Sequence, residues 1–130
     1  MEQQLVYESF IQNVQQRHDD IFLRQIIDRQ FKDFTYGDVL DQALRLVSAF
    51  RDMGLQPGEK IALISKNCAE WFIADLAMML GSYISVPIFP TAGSDTISHV
   101  LTHSESKLLI IGNGEEKNKL SSLIKELNIE

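Results

Sequence analysis

A single cysteine, Cys68, rules out a disulfide within the chain, and only three prolines interrupt 130 residues. Positive charge is also scarce. Twelve Lys and Arg against 18 Asp and Glu leave a net charge of −6, so no basic field exists to hold a phosphate backbone, and nucleic acid is excluded as a partner. The opening residues MEQQLVYESF have neither the basic start nor the apolar run of a secretory leader. Together with the lone cysteine, this points to the reducing cytoplasm. A phosphate loop, a nucleophile elbow and a metal-ligand cluster are all missing from the sequence pattern. What is present is 45% apolar residues, enough for one globular core.

The longest uncharged run, Leu76 to Ser94, has the length of a membrane span. Its interior argues otherwise. Gly81-Ser82 breaks the helical pattern, Pro87 and Pro90 each remove a backbone donor, and the flanking charges are Asp75 and Asp95 rather than Lys or Arg. Ala, Met and Leu up to Leu80 favour a helix, whereas Tyr83-Ile84-Ser85-Val86 is aromatic and β-branched and favours a strand. The run is therefore helix, turn, strand and proline-punctuated loop, with no transmembrane segment.

The same logic along the rest of the chain predicts a short amphipathic helix over Leu5–Gln16 and a β-hairpin of IFLRQII and QFKDFTY about Asp28-Arg29. Thr35 and Asp38 form a capping box for a helix with its apolar stripe at Leu40, Ala43, Leu44, Val47 and Phe50, ending at Gly54. After the turn at Pro57-Gly58 comes a buried strand over Ile61–Ile64. Asn67 with Glu70 would cap the next helix, Ala69–Leu80. A strand over Tyr83–Ile88, a helix over Ser94–Ser104, a strand over Lys107–Ile111 and a helix over Glu115–Leu127 complete the series. Short apolar strands alternating with helices specify α/β architecture: βαβ units, a parallel sheet and helices on both its faces.

Four features are candidates for chemistry. Gly112-Asn113-Gly114, between strand and helix, is where a pyrophosphate could sit, but the third glycine is missing and Glu115-Glu116 would repel an anion. A plain turn is the favoured alternative. His99 and His103 share a helical face, yet no glutamate follows His99 and no third ligand is identifiable, so surface or packing histidines are favoured. Cys68 in the first turn of a helix could have an activated thiol, or could simply be a small packing residue. Asp75, the one charge between Trp71 and Leu80, belongs at a wet edge or with a buried partner; Trp71, Met78 and Met79 read as core.

From Phe34 to Thr91 several pieces occur in order: Thr35-Tyr36 opening a helix, Gly54-x-x-Pro57-Gly58 before a strand, Asn67-x-x-Glu70-Trp71, and Val86-Pro87-Ile88 followed by Pro90-Thr91. This run resembles the opening of the adenylate-forming (AMP-binding) enzymes, and AEWFIAD with VPIFPT looks most like the long-chain fatty acid–CoA ligase branch. One departure is Gly81-Ser82-Tyr83, where members commonly carry a Gly-Ala-type pair, an exchange expected to loosen packing. The resemblance implies ATP, CoA and Mg²⁺ as cofactors and a fatty acid as substrate, with peripheral membrane contact compatible with that substrate. The family's phosphate loop, ribose-binding aspartate and C-terminal-domain lysine are expected beyond Glu130. No catalytic, cofactor-binding or metal-binding residue therefore transfers to this chain. Residues 1–130 are expected to be one partial domain, 1–34 helix and hairpin and 35–130 alternating elements, of a longer enzyme. Alone, the segment is expected to be inactive and to self-associate through exposed apolar surface. The alternative is a stand-alone flavodoxin-like nucleotide-binding or regulatory module.

Overall fold

The computed structural model describes residues 3–112. The element order is α1 (Val6–Arg17), β1 (Ile21–Ile27), β2 (Gln30–Thr35), α2 (Tyr36–Asp52), β3 (Lys60–Ile64), α3 (Ala69–Leu80), β4 (Ile84–Ile88), α4 (Ser94–Ser104) and β5 (Leu108–Ile111). The sequence-based elements up to Ile111 are recovered with ends displaced by a residue or so. The expected helix Glu115–Leu127 lies outside the described residues, as do Asn113 and Gly114.

β1 and β2 pair antiparallel from Ile27↔Gln30 back to Leu23↔Phe34, with a register shift between Ile21 and Leu23. The turn residues Asp28 and Arg29 both have positive φ, 50° and 63°, the backbone that lets a two-residue turn match strand twist. On the outward face the Arg24 guanidinium grips the Asp33 carboxylate through two bonds of 2.6 and 3.0 Å and lies 5.1 Å from the Phe31 ring centroid. The adjacent pair Ile26 and Phe31 is left 68% and 67% exposed.

The second sheet is parallel in the order β4-β3-β5, with Ile61 opposite both Ser85 and Leu108. Alternation along the central strand divides the core. Ile61 and Leu63 join Val39, Phe50, Ile73, Met78 and Tyr83 beneath α2 and α3, while Ala62 and Ile64 join Ile88, Ile97 and Leu101 beneath α4. The step from β3 to β4 and the return step to β5 run in opposite directions, so crossovers of one hand must put α3 and α4 on opposite faces. They are there, which gives the expected helices on both faces. No helix among the described residues is long and apolar enough to cross a membrane.

Helix α2 begins as its sequence predicts. The Thr35 hydroxyl accepts from the Asp38 N–H and the Asp38 carboxylate accepts from the Thr35 N–H, both at 3.0 Å. The bonds from Thr35, backbone first, hold the Asp38 carboxyl below its ordinary value, with a smaller contribution from His18. A carboxyl depressed in the folded state contributes stability above its unfolded pKa, and that contribution disappears as pH falls through the depressed value. Asp38→Asn is therefore expected to flatten the acid limb of a stability-versus-pH curve, measured by urea midpoints between pH 2 and 5, and to change the curve's shape least near neutrality.

The departure at Gly81-Ser82-Tyr83 does not loosen the packing. Tyr83 is buried, its ring meets Phe50 edge-on at 5.5 Å, and its hydroxyl donates to the Leu55 carbonyl at 3.1 Å. Gly81 is needed because a Cβ there would fall 2.6 Å from the Tyr83 ring. The strained residue is Ser82, with φ of 63° at the helix exit, where glycine is normally found. Ser82→Gly is expected to stabilise the fold by about 0.5–1 kcal/mol, read as a raised thermal midpoint.

Candidate functional site

Parallel sheets present their loops for ligands at the carboxyl ends of the strands. Here β3 runs into Ser65-Lys66-Asn67-Cys68 and β5 into Gly112. The Gly112 N–H donates to the Ile64 carbonyl at 2.9 Å, extending the β3–β5 ladder by one rung. A Cβ on Gly112 would lie 2.7 Å from Ser65 Cβ, so glycine here is a demand of close approach. The first residue of the expected phosphate turn thus has a packing reason of its own.

Beside this rung opens a cleft of about 510 Å³. Ser65, Cys68 and Gly112 form its floor, and Gln25, Ile27 and Trp71 are on its walls. Ser65 is buried, its Oγ donating to the Lys66 carbonyl at 2.9 Å and lying 3.8 Å from the Cys68 thiol. Cys68 is half-buried and sits one residue earlier than expected, at the N-cap of α3 rather than in its first turn. The expected Asn67 cap is also not formed. The first free N–H of the helix, at Ala69, instead donates to Gln25 Oε1 of the hairpin at 2.6 Å. Gln25 is 44 positions away in sequence, and no local pattern could have identified it.

The other candidates disperse. His99 and His103 stack face to face at 5.5 Å, both exposed, and no group of three His, Cys, Asp or Glu side chains converges among the described residues. No step through Mg²⁺ or ATP is assigned to these residues. Asp75 is half-buried on α3, and no ion pair or hydrogen bond of its side chain is seen among the described residues. Met78 is fully buried as expected, Met79 is partly buried, and Trp71 both packs on the core and walls the cleft. A second hollow, about 610 Å³, runs between α2 and α3 over β5 and is lined mainly by Leu46, Phe50, Ile73, Leu108 and Ile110.

Comparison with known families matches residues 10–129 to the AMP-binding enzyme family. The chain belongs to this family of adenylate-forming ligases. Long chain acyl-CoA synthetase 1 of Arabidopsis thaliana is 28% identical over 119 residues, which are 88% of this chain and 18% of that protein. Fatty acyl-CoA synthetase A of Dictyostelium discoideum is 35% identical over 88 residues, 67% of this chain and 13% of that protein. The chain thus spans less than a fifth of either relative. Among solved structures, a putative long-chain-fatty-acid CoA ligase from Rhodopseudomonas palustris superposes with a TM-score of 0.81 at 21% identity, over 93% of this chain and 30% of that one. An N-terminal subdomain of Klebsiella oxytoca NpsA superposes at 0.72 and 24% identity. Those likenesses establish the fold as that of the N-terminal domain of adenylate-forming enzymes.

Proposed function

We propose that this chain is the opening section of an AMP-forming fatty acid–CoA ligase with long-chain acids as substrates. In such an enzyme ATP and the carboxylic acid give an acyl-adenylate and pyrophosphate, and CoA then takes the acyl group as a thioester. The observation that carries this reading is the family match across residues 10–129, together with relatives named as long-chain and fatty acyl-CoA synthetases. Mg²⁺ would neutralise phosphate charge during the first step. The role assigned to residues 3–112 is scaffolding: a parallel sheet with its carboxyl edge held in register by the Gly112 rung and by the Gln25 cap on α3. The ATP, CoA and acid contacts are assigned to chain beyond these residues, so the segment alone is inactive in this reading. The cytoplasm, with peripheral contact to membranes that hold the acid, is the setting it implies.

The deciding experiment starts from the native polypeptide captured from source cells with an antibody to this segment. An intact mass several times 14.8 kDa, with pyrophosphate exchange dependent on a long-chain acid, is the expected result. A long polypeptide with no exchange on any fatty acid overturns the ligase reading. A native mass near 14.8 kDa, with saturable nucleotide binding in the 510 Å³ cleft, favours a stand-alone binding module instead.

A further inference from the structure

Helix α4 carries two of the chain's three histidines, His99 and His103. It buries Ile97 and Leu101 against the sheet, and the two histidines stand on the opposite side, both exposed. Their rings are parallel to within 9° and their centroids are 5.5 Å apart, about one helical pitch. The spacing H-x-x-x-H only allows two imidazoles to share a face. What the structure adds is that both side chains lean the same way, so that each ring has the other as its neighbour.

We propose that His99 and His103 form a two-imidazole chelate for a divalent late transition-metal ion, the class of Ni²⁺, Cu²⁺ and Zn²⁺ that imidazole nitrogen prefers. The site lies on the outer face of α4, away from the cleft at the strand ends. An ion bound by both rings sits about 2 Å from one nitrogen of each, which the pair reaches by turning two exposed rings toward each other. The backbone need not move, because the helix already holds the two side chains as neighbours. That pre-placement makes capture by the second imidazole intramolecular, an advantage of about 10²–10⁴-fold over a single histidine. The electrostatics favour a cation as well. His103 is in the last turn of α4, where the helix dipole is negative, and the chain carries a net charge of −6. Asp95 lies one turn before His99 but eight residues from His103, and no set of three ligands converges among the described residues. The chelate is therefore a two-ligand site with water in the remaining positions.

The inference is independent of the activity proposed for the longer protein. Its test is calorimetric titration of NiCl₂ into the untagged 130-residue chain in a buffer that does not bind metals, beside His99→Gln, His103→Gln, the double variant and His18→Gln. One saturable Ni²⁺ site per chain is expected, unchanged in His18→Gln. Each α4 variant should lose about 10²-fold or more in affinity, and the double variant should be little worse than either single one, because a chelate fails when one arm is lost. Ni²⁺ should also raise the thermal midpoint of the unaltered chain but not of the α4 variants, since an ion that binds only the folded helix stabilises it. Both histidines are exposed, so the variants should fold, with unchanged circular dichroism as the check. No saturable binding, binding that survives in the double variant, loss in His18→Gln, or two independent sites of which each α4 variant removes one would each overturn the proposal.

Discussion

Replacing Phe50 by alanine is expected to destabilise the fold by about 3–5 kcal/mol, the largest single effect among the aromatic residues of the core. The ring is 1% exposed and stands edge-on to Tyr83 with planes at 88°, so its loss removes both buried area and an oriented aromatic contact. It also leaves a void beside the bond from Tyr83 to the Leu55 carbonyl, which links the end of α2 to the start of β4. Because Phe50 also borders the groove over β5, water or side chains can partly fill the space, which favours the lower part of the range. A midpoint lowered by roughly 10–20 °C in thermal melts is the measurable consequence. Phe50→Leu, which keeps most of the volume, should cost about 1 kcal/mol. Equal losses in the two variants would show that the void is not what matters.

The core was legible because each of its signals is local. A capping box announced α2, apolar runs announced β3 and β5, and the change from Met-Leu to Tyr-Ile-Ser-Val near Gly81 separated α3 from β4. Long-range features were not legible. The order β4-β3-β5 depends on which edge each crossover reaches, and the shift between Ile21 and Leu23 depends on how the hairpin settles on α2. The cap of α3 is the clearest case. Asn67 had the right chemistry at nearly the right place, yet the bond went to Gln25 because the hairpin brings that amide within 2.6 Å of Ala69. The cleft was equally hidden, since its walls come from β1, the turn after β3, α3 and the end of β5. Family resemblance supplied the reaction class, which residue spacing alone did not contain.

Gly112→Val is expected to cost about 2–3 kcal/mol, and the reason bears on how the carboxyl edge of the sheet is built. A Cβ there meets both the side chain and the Cα of Ser65, with the Cα at 3.2 Å, so part of the clash is with backbone that cannot rotate away. The strand end must then retreat, which strains the bond from the Gly112 N–H to Ile64 and widens the cleft beside Cys68 and Trp71. The φ of Gly112 is not in the left-handed region, so the penalty is one of space rather than of backbone conformation. Space can be returned from the other side. Ser65→Gly alone should lose only its own packing and its bond to the Lys66 carbonyl, but combined with Gly112→Ala it should recover part of the alanine penalty. Urea unfolding of the four species in a double-mutant cycle measures the coupling, expected at about 1 kcal/mol. Additive losses would mean that the glycine is not held by Ser65, and the turn after β5 would then need another reason for it.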